Sequence, residues 1–142
     1  MSNILEVKNL NVSYGGIKAV KEISFVVPKG QVVTLIGANG AGKSSTLRSI
    51  VGLVRPESGS IQFKENELAG LPTDQIVSKG ITLVPEGRRV FPDLTVLENL
   101  KIGAYMRKDS LDADLNWVHE LFPRLKERSW QLAGTLSGGE QQ

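Results

Sequence analysis

Gln31-Val32-Val33-Thr34-Leu35-Ile36, running directly into Gly37-Ala38-Asn39-Gly40-Ala41-Gly42-Lys43-Ser44, decides how this chain is read. The first six residues form a β-branched run that is polar mainly at its start, the pattern of a strand buried on both faces. The next eight match G-x-x-x-x-G-K-[ST] without deviation. Glycines at those positions let the backbone curl so that successive N–H groups point at one anion. A helix opening near Lys43 adds its positive end. The Lys43 ammonium then reaches the outer phosphates of a bound polyphosphate, and the Ser44 hydroxyl suits Mg²⁺.

Outward from this loop the pattern divides. Upstream, residues 4–9 alternate imperfectly as a half-buried strand, and Tyr14-Gly15-Gly16 breaks it. Lys18 to Val27 reads as one or two further strands, closed by Pro28-Lys29-Gly30. Downstream, Leu47, Ile50, Val51 and Val54 predict a helix, Pro56-Glu57-Ser58-Gly59 a turn, and Ser60 to Phe63 a short strand. Thr73 is expected to cap a short helix through Lys79, stopped by Gly80. Ile81 to Pro85 reads as a second buried strand and Glu86 to Asp93 as a loop. Thr95 and Glu98 form a capping-box pattern, predicting a helix to about Arg107. Leu111, Leu115, Val118 and Phe122 place one apolar stripe on a helix, flanked by Trp117 and His119. The sum is an α/β core with a β layer before it and helices after it.

Composition narrows the class. Of 142 residues, 40% are hydrophobic and 23% charged, as in ordinary globular proteins. Lys+Arg 17 against Asp+Glu 15 leaves a net charge of +2, too small an excess to indicate nucleic acid. The chain has no cysteine, which excludes a disulfide scaffold, a zinc–thiolate site and a thiol nucleophile. No apolar run approaches the ~20 residues that span a bilayer, and residues 1–10 lack the pattern of a signal peptide.

Leu136-Ser137-Gly138-Gly139-Glu140-Gln141-Gln142 resembles the signature sequence of ATP-binding cassette (ABC) ATPases, and the resemblance extends from about Ile4 to Gln142. It implies a P-loop NTPase core with an N-terminal antiparallel β layer and a helical subdomain. Residues 1–84 would form the β layer and P-loop core. Residues 85–142 would carry the Q-loop position, the helical subdomain and the signature. ATP and Mg²⁺ are the implied ligands. Gly37, Ala38, Asn39, Gly40, Ala41, Gly42, Lys43, Ser44 and Ser45 would hold phosphate, Tyr14 would stack on adenine, and Val20 would pack near the same base. Lys43 and Glu86 would act on ATP within one subunit, and Ser137 and Gly139 would act in trans. Ser44 and Glu86 are the implied Mg²⁺ ligands.

The stretch 84–100 looks like the F-type ATP-binding subunit of branched-chain amino acid importers. That likeness implies a second ABC ATPase subunit in a head-to-tail dimer, two membrane permease subunits, and a substrate-binding protein acting through them. It also implies a peripheral place on the cytoplasmic face of the plasma membrane and no nucleic-acid partner. Urea or amide importers use similar ATPases. Most ABC ATPases have Gln where this chain has Glu86; a carboxylate accepts a proton or ligates Mg²⁺ but donates no amide hydrogen bond. Arg88 and Arg89 fit phosphate, solvent or a partner. Phe91 fits either a coupling helix or local core.

The family's later Asp, Glu and His find no match here, and His119, the single histidine, reads as a surface or interface residue. The resemblance therefore implies a domain incomplete at its C-terminus. Val32 to Ile36 would lack one ladder partner, the signature helix would be too short to stand alone, and nucleotide binding would be weak with almost no turnover. A non-catalytic nucleotide-binding fragment is the alternative.

Overall fold

The computed structural model describes residues 2–142 and divides into two compact units, residues 1–83 and 84–142. In the first unit, β1 (Asn3–Tyr14) and β2 (Ile17–Pro28) form a long antiparallel hairpin. Gly15 and Gly16, both at positive φ, make the two-residue turn between them. β3 (Ser58–Phe63) pairs with the other edge of β1, and β4 (Asn66–Glu67) with β3, so the sheet order is β2-β1-β3-β4.

The imperfect alternation of β1 has a physical cause. Its register with β2 shifts between Val7 and Leu10, and Asn9 sits there at φ 47°. The extra residue changes the parity, so Val7 and Leu10, three apart, both face the core. Ser24 on β2 accepts a hydrogen bond from the Asn9 N–H at 2.8 Å, satisfying the irregular backbone. The core joins Val7, Leu10, Val12, Val20, Ile61, Phe63 and Leu68 to Ile50 of α1 (Lys43–Ile50) and Ile76 of α2 (Thr73–Ser78). α1 stops earlier than its apolar spacing predicts, because Gly52 turns left-handed at φ 76° and Leu53 N–H bonds back to the Arg48 carbonyl. Thr73 opens α2 as its first residue, with Pro72 in the capping position.

Two expected strands do not form. Residues 31–36 and 81–85 join no sheet; Val32 and Ile36 are 96% and 93% exposed. A β-branched run is a strand only where a neighbouring backbone completes its ladder, and no strand among the described residues does so.

In the second unit, α3 (Val96–Ile102) starts at the capping box: the Thr95 hydroxyl accepts from Glu98 N–H, and the Glu98 carboxylate accepts from Thr95 N–H at 2.7 Å. It ends at Gly103 rather than near Arg107, and tight turns follow. Arg107 instead bonds Asp109 and Asp114, beside α4 (Asp112–Leu121). Pro123 begins α5 (Pro123–Glu127), which is why α4 stops before it. Leu111, Leu115 and Val118 are half-buried, whereas Phe122 and Trp117 stay exposed. A 3₁₀ turn (Ala133–Thr135) leads to α6 (Gly138–Gln141). Val96, Ala133 and Leu136 are the buried apolar residues of this unit.

Candidate functional site

The glycine-rich loop lies in the first unit and is held from both sides. Ala41 N–H bonds the Ala38 carbonyl at 3.1 Å, closing a turn, and Gly40 and Gly42 take φ 82° and 97°. A side chain on Gly42 would collide with the Ala19 carbonyl oxygen and come within 3.0 Å of Val20 Cγ2. The loop therefore rests directly on β2, at a separation only glycine permits. Gly42 is also the residue before α1 and offers no side chain to its first-turn N–H groups. Thr46, buried, returns both its N–H and its hydroxyl to the Gly42 carbonyl at 2.9 Å. Lys43 curls back over the loop, donating to the Gly37 carbonyl at 2.6 Å and to the Ala38 carbonyl at 2.8 Å. A cation held by two carbonyls beside uncapped N–H groups is an anion-receiving arrangement.

Tyr14 ends β1 with 41% of its surface exposed, and its hydroxyl donates to the Ser45 hydroxyl at 3.2 Å. Ser44 is exposed on the first turn of α1. Val20 sits otherwise than expected. It is 1% exposed inside the core, so it presents no face to a base; its contact with Gly42 supports the loop from beneath.

The second unit holds the remaining candidates. Glu86, Arg88 and Arg89 are exposed, Arg88 with φ 53°, and Phe91 is 54% exposed. Ser137 caps α6 through a second capping box. The Glu140 carboxylate accepts from the Ser137 hydroxyl at 2.7 Å and from its N–H at 2.9 Å. Those bonds, then Arg128 at 3.2 Å and the charge of Arg124, hold the Glu140 carboxyl below the usual carboxylate range. Gln141 Nε2 donates to the Leu136 carbonyl at 2.9 Å. Four residues of helix thus stand on side-chain bonds that tie Glu140 and Gln141 back to Ser137 and Leu136 at its start, which length alone does not predict. The Arg88 guanidinium lies against Gly138, where any side chain would strike it. Gly139 has open space above it.

No group of three His, Cys, Asp or Glu able to hold a metal occurs among the described residues. A Mg²⁺ carried in with a polyphosphate would need few protein ligands. Ser44, a hard oxygen on the exposed first turn beside Lys43, fits that role.

Residues 20–142 match the ABC transporter family, and the chain belongs to it. Among similar proteins is the high-affinity branched-chain amino acid transport ATP-binding protein BraG of Pseudomonas aeruginosa, 51% identical over 140 residues, covering 98% of this chain and 60% of BraG. A probable branched-chain amino acid transport ATP-binding protein, LivF, of Archaeoglobus fulgidus is 37% identical over 98% of this chain and 59% of its own length. The structure of an ATP-binding subunit of an ABC transporter superposes with a TM-score of 0.83 at 32% identity, covering 97% of this chain and 58% of that one. The ATP-binding cassette MJ0796, in a dimeric post-hydrolysis state bound to ADP and Pi, gives 0.79 at 25% identity, over 96% of this chain and 65% of that one. The chain thus spans about 60% of the length of BraG.

Two residues that organise these segments carry no signal in the motifs above. Asn99 accepts from Phe91 N–H at 2.9 Å and donates to the carbonyls of Phe91, Leu94 and Thr95, fixing the turn before α3. Arg128 braces Glu140. The Ser137–Glu140 box does have a readable pattern, the same Ser/Thr-x-x-Glu spacing as Thr95–Glu98.

Proposed function

We propose that this chain is the nucleotide-binding part of an ABC importer ATPase, a subunit that binds and hydrolyses Mg·ATP to drive uptake of branched-chain amino acids. The observation that carries the reading is the loop of Gly37 to Ser44, with Lys43 folded over it and the open first turn of α1 beneath. The 51% identity to BraG supports the substrate class.

In this reading the triphosphate settles on the N–H groups of the loop and of the first turn of α1. Lys43 exchanges the carbonyls of Gly37 and Ala38 for the β- and γ-phosphates, trading neutral acceptors for charged ones. Ser44 is the hydroxyl ligand for Mg²⁺, which when bound neutralises charge on the phosphates. Tyr14, with a free ring surface, stacks on adenine. Glu86 is a carboxylate available to accept the proton of the attacking water or to ligate Mg²⁺. Ser137 and Gly139 meet the nucleotide of a second ATPase subunit, and closing that dimer moves two membrane permeases served by a substrate-binding protein.

No helix among the described residues is long and apolar enough to cross a membrane, in keeping with a peripheral subunit. We place it on the cytoplasmic face of the plasma membrane. The residue ranges 1–84 and 85–142 are proposed as the β layer with P-loop core and the helical part with signature. Calorimetry of Mg·ATP binding to the chain and to Lys43→Ala tests the central claim. Binding that disappears in the variant supports it; binding unchanged by Lys43→Ala overturns it.

A further inference from the structure

Asn39 and Gly40 form the only Asn-Gly pair in the chain, and both stand exposed in the middle of the glycine-rich loop. We propose that Asn39 is a site of spontaneous deamidation gated by the ligand: in the empty loop the Gly40 amide nitrogen attacks the Asn39 carboxamide, and a polyphosphate bound there prevents it. The gating rests on the nucleotide-binding reading; the reaction itself does not.

The fold leaves the reacting groups free. Ala41 N–H is taken by the Ala38 carbonyl, and the Lys43 ammonium by the carbonyls of Gly37 and Ala38. The Gly40 N–H and the Asn39 carboxamide have no hydrogen-bond partner among the described residues. A side chain at Gly40 would meet nothing within 4 Å, so that side of the residue is open to solvent. The other asparagines, 3, 9, 11, 66, 99 and 116, each lie in a strand or helix and precede a residue whose side chain crowds the attacking nitrogen. In the reaction the Gly40 nitrogen loses its proton and bonds to Asn39 Cγ. The Cγ–Nδ2 bond breaks, and ammonia leaves with that proton. Water then opens the cyclic imide on either side, to an aspartate or to an isoaspartate whose main chain is longer by a methylene. That methylene enters between Ala38 and Ala41, whose hydrogen bond at 3.1 Å closes the turn. The turn must widen, and N–H groups that converged on one anion no longer do so. A bound polyphosphate takes those N–H groups for itself and keeps the Gly40 nitrogen from the carboxamide.

The test ages the full chain at body temperature and mildly alkaline pH, alone and with Mg·ATP. Mass spectrometry follows the peptide holding Asn39, whose mass rises as NH₂ is replaced by OH. Asn39→Gln, which would have to close a larger and slower ring, and Lys43→Ala are aged alongside. Asn39 is expected to react before any other asparagine, and Asn39→Gln to stay unchanged at that position. With ATP at about ten times its Kd, the wild-type rate should fall about tenfold, in step with the fraction of empty loop, and the Lys43→Ala rate should not. The purified isoaspartate form should bind Mg·ATP at least about tenfold more weakly than fresh protein, the scale of one or two lost hydrogen bonds. It should also bind more weakly than Asn39→Asp, which has the new charge on an unextended backbone. Another asparagine reacting first overturns the proposal, as does a wild-type rate that ATP leaves unchanged although calorimetry shows it bound. An isoaspartate form that binds as well as fresh protein, or no worse than Asn39→Asp, overturns the account of the lengthened backbone. If calorimetry shows no Lys43-dependent binding, the nucleotide reading fails and the gating with it, while the mass at Asn39 still decides the reaction.

Discussion

The guanidinium of Arg88 occupies the space into which a side chain at Gly138 would project. The obstacle is the far end of a flexible side chain, so a methyl group there displaces Arg88 rather than backbone. Gly138→Ala should therefore change stability by less than about 1 kcal/mol. Adding Arg88→Ala should remove whatever cost remains. Urea unfolding of the single and double variants checks this; equal costs with and without Arg88 would show that the contact does not exist in solution.

Gly42 makes the opposite case. Its φ of 97° and its collision partner, the Ala19 carbonyl, are both backbone features. Gly42→Ala should destabilise the first unit by about 2 kcal/mol or more and impair ATP binding with it. A thermal melt within a degree of wild type would contradict the packing of loop on hairpin.

Asn99 ties four backbone groups of residues 91–95 to α3. Asn99→Ala leaves the Phe91 N–H without its acceptor, while the carbonyls of Phe91, Leu94 and Thr95 keep their backbone donors, and should cost about 1–3 kcal/mol. Thr95→Ala, which removes one cap, should cost about 1 kcal/mol. Chemical denaturation ranks the two, and a larger loss at Thr95 would reverse the argument.

Acid should weaken the second unit in a specific way. Glu98 is held below its ordinary value of 4.5 by the N–H and then the hydroxyl of Thr95, with a smaller contribution from Lys101; Glu140 is held below it by Ser137, with Arg128 and Arg124. A carboxylate depressed in the folded state stabilises fully above its unfolded pKa, and that stabilisation is lost as pH falls through the folded value. The stability advantage of wild type over Thr95→Ala/Ser137→Ala should therefore shrink as pH drops below about 4.5. An advantage constant from about pH 7 to 3 would show that the two boxes do not depend on ionised glutamate.

Local patterns were legible in the sequence and distant ones were not. The Thr95–Glu98 cap depends on residues three apart, and the structure forms it as the spacing predicts. The stripe of Leu111, Leu115 and Val118 likewise lands on α4 and the residue before it. Val20 was harder to read, because the register shifts between Leu10 and Val12 and again before Ser13 disturb the link between position and face. Residues 31–36 have the composition of a buried strand, but composition does not supply the neighbouring backbone a strand requires. The Tyr14–Ser45 hydrogen bond joins a hairpin end to a helix start, and no spacing rule connects them.

The exposed run from Val32 to Ile36 has a consequence for handling the protein. A short, uncharged, β-branched segment outside any sheet is a template for strand addition from another molecule, the chemistry that seeds cross-β aggregates. Concentrated solutions of this chain should accordingly lose material to precipitation through that segment first. A charged residue in place of Val32, whose side chain is almost wholly in solvent, is the substitution that would keep the chain dispersed.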